Sequence, residues 1–199
     1  MHCKRKRKRK RNEGEEGATG DGEDEEVYRR GGAVYFEGEV NHAKINKLRK
    51  ALDDASKDAL LYSNTIDSPR VALYIRSDGG CVFAGFAGFS VIRRSIVPVV
   101  TIADGYTASA ATFLLLGGID RRIVKGSHVL IHQVSSDASG TFQNVRDDAK
   151  NCAVIMKQMR EFYETETHLP EKKLNKLLTR ELDLSTAQCI KHGVVHATL

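Results

Sequence analysis

Three short segments between Ser77 and Val134 hold residue types that could work together on one substrate. Ser77–Gly80 reads Ser-Asp-Gly-Gly, residues 105–109 read Gly-Tyr-Thr-Ala-Ser, and residues 128–134 carry an apolar run into His132, Gln133 and Val134. A serine hydroxyl is a weak nucleophile until a neighbouring base takes its proton, and a neutral imidazole is suited to that near pH 7. Ser109 is the candidate nucleophile and His132 the candidate base. The N–H of Ala110, at a helix start, and that of Gly80, in a segment without side chains, are the candidate donors to a developing oxyanion. The set would equip a serine peptidase, provided that Ser109 and His132 meet.

Each residue also has a plainer reading. A serine in the first turn of a helix is most often a cap, a glycine pair is most often a turn, and a lone histidine in apolar surroundings is usually structural. Against the cap stand the small neighbours Thr107, Ala108, Ala110 and Ala111, which leave room for a substrate backbone. A carboxylate should orient the imidazole; Asp137, Asp147, Asp148, Glu181 and Asp183 are candidates that spacing does not separate. His128, His168, His192 and His196 show no ligand spacing with carboxylates, so neither metal nor cofactor is expected.

Alternating strands and helices must position these residues. Residues 33–38 read as a strand, and Asn41 caps a helix whose face repeats at Ile45, Leu48, Leu52, Ala55 and Ala59. Residues 71–75 form a continuous apolar run, as expected of a parallel strand covered on both faces. A small-residue helix follows over 81–92, then a strand over 97–103. The Gly105–Ser109 segment is expected to turn into a helix ending near Gly117, with strands at 122–124 and 128–131 beyond it. A long helix over about 141–166 carries the stripe Phe142, Val145, Ala149, Cys152, Ile155, Met159 and Phe162. Pro170 starts a helix over 171–179, Ser185 and Gln188 form a capping box before a helix that stops at Gly193, and Val194–Val195 suggest a last strand. This is the order of an α/β protein whose loops carry the site.

The chain has 199 residues, 41% of them apolar, enough for one domain with a sizeable core. Residues 4–11 are eight consecutive cations and residues 13–26 include eight acids, so the two blocks cancel and the remainder carries the net +5. Neither block can bury enough area to offset its ordering entropy. Residues 1–26 are therefore expected to be a disordered tail on a domain at 27–199. The basic octamer alone is weak evidence for nucleic acid, because no aromatic and basic interleaving accompanies it. No membrane span is expected, since Pro98, Asp104 and the glycines break the apolar runs. The four cysteines, Cys3, Cys81, Cys152 and Cys189, lack CxxC pairing; Cys152 and Cys189 are expected as buried free thiols, in a reducing, cytoplasmic compartment.

From about Val34 to Val195 the sequence resembles the proteolytic subunit of the Clp protease. Gly38–Asn41, Ser77–Gly80, Gly105–Ser109 and Leu130–Val134 correspond, in order and at similar separations, to that family's glycine turn, its Ser-Pro-Gly-Gly, its Gly-x-x-x-Ser and its Met-Ile-His-Gln-Pro motifs. The resemblance implies a ClpP/crotonase-like α/β fold of repeated ββα units, with the long helix as a protruding handle. It implies serine endopeptidase activity on unfolded polypeptides inside stacked homo-oligomeric, heptameric rings, fed by an AAA+ unfoldase. The chain has no phosphate-binding loop of its own. Carried over by position, Ser109 is the nucleophile, His132 the base, and the N–H groups of Gly80 and Ala110 the oxyanion hole. Glu181, 49 residues after His132, falls where the family has its catalytic aspartate, with Asp183 as the nearby substitute. Arg180, with some of Met156, Phe162 and Tyr163, is expected between rings. Asp78 and Val134 replace prolines and Ala111 replaces a glycine, departures that fit a divergent, phage-like member. They also leave open a degenerate structural subunit that assembles with an active partner. A hydratase of the same superfamily is a further alternative, which the matched serine and histidine argue against.

Overall fold

The computed structural model of the protein describes residues 27–62 and 68–199; the expected tail at 1–26 lies outside the described residues. Strand β1 (Val27–Arg30) turns through Gly31 and Gly32, both at positive φ, into antiparallel β2 (Ala33–Glu37). Helix α1 (His42–Leu61) starts where Asn41 Oδ1 accepts from the Lys44 N–H at 2.9 Å, and it buries Ile45, Leu48, Leu52 and Ala55. Strand β3 (Val71–Ser77), helix α2 (Val82–Arg93) and strand β4 (Val99–Ala108) follow, and β2, β3 and β4 run parallel. The small residues of α2 allow close packing. A Cβ on Gly85 would stand 2.7 Å from the Phe113 ring, and one on Gly88 would stand 2.9 Å from both Ile45 and Leu114.

β4 serves two sets of partners. Its first half pairs with parallel β5 (Asp120–Ile123), which pairs in turn with β8 (Ala197–Thr198). At Gly105, whose φ is +84°, the strand changes direction, and the register against β3 slips between Ile75–Ala103 and Ser77–Thr107. The Gly105 N–H donates to Ser127 Oγ at 2.8 Å. The second half, Tyr106–Ala108, then pairs with parallel β6 (His128–Leu130), which holds antiparallel β7 (Asp183–Ser185) on its other edge. Helix α3 (Ala111–Leu116) descends from the end of β4, every residue buried.

The long helix α4 (Phe142–Glu166) opens on a Thr141 cap, followed by α5 (Glu171–Arg180) and α6 (Thr186–Lys191). The capping box of Ser185 and Gln188 is present, and the turn at Gly193 has a φ of +65°. Two contacts pin the end of α4: Arg121 donates to the carbonyls of Glu166 and Gly193 at 2.9 and 3.0 Å, and Arg93 pairs with Glu166 at 2.6 Å.

Several expectations need correction. Residues 105–108 continue β4 instead of turning into a helix, because β6 offers them a ladder. The last strand is Ala197–Thr198; Val194 and Val195 are buried core residues outside it. The stripe of α4 is buried only toward its C-terminal end, at Ile155 and Met159 with Phe162 half-buried, whereas Phe142 is 81% exposed. Phe162 and Tyr163 pack within the subunit, Phe162 edge-on to Phe113 at 5.0 Å. Met156 Sδ accepts from the Val134 N–H at 3.3 Å. Cys189 is buried, but Cys152 is only partly so, its thiol 3.6 Å from Asp148. Among the described residues no helix is long and apolar enough to cross a membrane.

Candidate active site

The bent end of β4 delivers Ser109 at a φ of +54°. This left-handed conformation costs a residue with a Cβ roughly 1–2 kcal/mol, so the surroundings must hold it. The Ser109 N–H donates to the Leu130 carbonyl at 2.9 Å. The Ser109 carbonyl accepts from the Thr112 N–H at 3.0 Å and from Thr112 Oγ1 at 2.6 Å. Thr112 Oγ1 in turn lies 2.7 Å from the buried Tyr163 hydroxyl of α4. Neither Thr112 nor Tyr163 stood out in the sequence as a support for the serine, because the link spans 51 residues. A sharp strand-to-helix turn of this kind presents a serine hydroxyl at the sheet edge, clear of its own backbone.

The glycine segment lies directly against that turn. Gly79 has a φ of +101°, and a Cβ there would stand 2.5 Å from Ser109 Cβ and 2.8 Å from the Ala108 carbonyl. Only glycine fits on both counts. Val40 fixes the loop from the other side: its N–H donates to the Gly79 carbonyl at 2.7 Å, and its carbonyl accepts from the Cys81 N–H at 2.8 Å. Those bonds use Gly79 and Cys81, not the Gly80 N–H.

A cavity of about 250 Å³ brings Gly80, Ser109, Ala110 and His132 onto one surface. Gly80 and His132, 52 residues apart in sequence, meet there because β4 pairs with β3 on one side and with β6 on the other. The His132 side chain is largely buried, and its Nδ1 is 3.8 Å from Glu181 Oε1. That separation is longer than a hydrogen bond but within reach of an ion pair. Burial pushes the imidazole below its usual 6.5, and the Glu181 charge partly opposes the shift. Glu181 follows the end of α5 in a left-handed conformation, φ +47°, a position that glycine usually fills. This turn brings the longer side chain toward the histidine, while its carboxylate stays 68% exposed.

Asp183 sits on β7 and accepts from the Tyr106 hydroxyl at 3.1 Å. Burial first, then that hydrogen bond and the charges of Asp183, Asp78 and Glu181, push the Tyr106 phenol up to about 12. Asp148 accepts from Ser136 at 2.6 Å and Asp147 from Gln143 at 2.7 Å, both on exposed parts of α4 and its approach. Asp137 does not line the cavity. Among the described residues no group of three or more His, Cys, Asp and Glu could hold a metal ion.

A strained serine turn, a glycine loop with backbone donors and a histidine beside a carboxylate, set on a parallel sheet, make an arrangement suited to serine hydrolase chemistry. The Clp protease family model matches residues 34–199, and the chain belongs to that family. It is 31% identical over 164 residues to the ATP-dependent Clp protease proteolytic subunit 2 of Treponema denticola, covering 81% of this chain and 78% of the relative. The ATP-dependent Clp protease proteolytic subunit of Pleurastrum terricola is 29% identical over 160 residues, covering 79% of this chain and 78% of the relative. The corresponding subunit of Deinococcus radiodurans is 28% identical over 138 residues, 68% of each chain.

Proposed function

We propose that the protein is a Clp-type serine endopeptidase in which Ser109 attacks the peptide carbonyl and His132 takes its proton. His132 Nδ1 faces Glu181, which leaves Nε2 for the serine. The new Oγ–C bond pushes charge onto the carbonyl oxygen, where the Gly80 and Ala110 N–H groups receive it. The imidazolium then returns the proton to the departing amine, and water, deprotonated by the same histidine, releases the acyl group. The observation that carries this reading is the shared cavity of Ser109, His132, Gly80 and Ala110.

Unfolded polypeptides are the substrates, an ATPase unfoldase of the AAA+ class supplies them, and the subunits stack as heptameric rings. The exposed apolar side chains of α4, Phe142, Val145 and Val154, support an assembly that covers them. A reducing, cytoplasmic setting accords with the free thiols of Cys81, Cys152 and Cys189.

The exposed Glu181, 3.8 Å from His132, favours one second reading: a degenerate subunit that only builds rings with an active partner. A fluorophosphonate probe followed by peptide mapping separates the two. Labelling at Ser109 is expected. Assembled protein that stays unlabelled there, while a control peptidase reacts, would overturn the peptidase reading.

A further inference from the structure

We infer that Asp78 makes the cavity beside Ser109 selective for peptides carrying a lysine or arginine at the scissile bond. The inference rests on the peptidase reading and narrows its substrate class. The apolar lining of the cavity includes Val134, which is only partly buried, with Val82 and Met159, and Asp78 lines it as well. Among the described residues no lysine or arginine lines it. The other carboxylates that act on Tyr106 face groups of their own: Asp183 accepts from the Tyr106 hydroxyl, and Glu181 stands 3.8 Å from His132. Asp78 is exposed, and no hydrogen bond or ion pair to it occurs among the described residues.

Gly79 packs against Ser109, so its neighbour Asp78 is held close to the reacting bond. An apolar wall with one carboxylate at its mouth matches a long cationic side chain. The methylene stem covers the apolar surface while the charged head meets the carboxylate. A neutral side chain gains only the first contact, and an acidic one meets repulsion.

Peptides differing only by lysine, norleucine or glutamate before the scissile bond test this. Turnover by the wild type should favour lysine over norleucine about fivefold at low salt, the scale of a solvent-exposed ion pair. The preference should shrink in high salt, fall to near one in Asp78→Asn and turn toward glutamate in Asp78→Lys. A lysine-to-norleucine ratio near one in the wild type, or one unchanged by Asp78→Lys, overturns the inference. Fluorescence anisotropy with Ser109→Ala reads the same preference without turnover. Tighter binding of the lysine peptide by this variant, with no cleavage of any peptide by the wild type, would sustain the inference and sink the peptidase reading. Cleavage without that preference does the reverse.

Discussion

The two ends of the candidate site are built differently. Around Ser109 everything is held: two backbone segments, the Thr112 hydroxyl and the Gly79 surface fix a conformation that an isolated serine avoids. Around Glu181 little is held, and its carboxylate stands in solvent at 3.8 Å from the imidazole. The serine end is therefore preorganised by the fold of one chain. The carboxylate end, carried on the turn after α5, has only a loose grip on its histidine. The difference teaches that the nucleophile's geometry belongs to the core, and that the orienting carboxylate is the part most open to tuning by its surroundings.

Damage to the held end should cost most. In Gly79→Ala the new methyl would strike Ser109 Cβ and the Ala108 carbonyl, moving the serine and the oxyanion donors together. Peptidase turnover should fall about 10³-fold, the upper scale for loss of one oxyanion donor, with far-UV circular dichroism retained. Turnover within tenfold of wild type would show that the serine end is less rigid than its contacts suggest.

Glu181→Gln tests the loose end, and its effect should be smaller. An orienting aspartate buried against its histidine contributes about 10⁴-fold in the serine protease template; an exposed carboxylate at this distance should contribute about 10²-fold. The pH profile adds a second readout. His132 is depressed, so its neutral, base-competent form predominates above a pKa lying below 6.5, and turnover should fall only as the pH drops through that lowered value. Glu181 is the cause that raises the pKa, so its neutralisation should move the acid limb to still lower pH. A limb that stays in place, with Asp183→Asn shifting it instead, would transfer the orienting role to Asp183.

Tyr163→Phe gives the finest probe, because it removes only the outer link of the chain that ends on the Ser109 carbonyl. The expected cost is about 1 kcal/mol of stability, the net worth of a typical hydrogen bond, read from denaturant midpoints. Turnover should fall less than tenfold. A loss as large as that of Gly79→Ala would mean that α4 controls the serine more firmly than the turn does.

Much of this was legible in the sequence where a signal is local. Asn41, the spacing of Ile45, Leu48 and Leu52, and the box of Ser185 and Gln188 each specify a helix end or face by themselves. The segments that meet in the cavity were also legible, as residue types at turns between alternating elements. The bend of β4 was not, because whether residues 105–108 extend depends on β6, some twenty residues away. The α4 stripe records an apolar face without saying which chain covers it, so Phe142 and Phe162 looked alike but differ in burial. The left-handed turn at Glu181 has no glycine to announce it. The engagement of Asp183 by Tyr106 spans 77 residues and leaves no trace in spacing.

The change of partners along β4 has a thermal consequence. Its first half lies between strands of the main sheet, whereas its second half keeps one pairing to β3, Ser77–Thr107, and otherwise rests on β6, which β7 backs, each only three residues long. Short strands at the end of a sheet open at lower free energy than the centre. The amide of Ser109, bonded to the Leu130 carbonyl beyond β6, would then exchange its hydrogen with solvent through a partial opening, while amides facing β3 wait for global unfolding. On heating, the Ser109–Leu130 bond would open as a step of its own, while the Thr112 side of the turn, anchored in the buried α3, holds until the core melts.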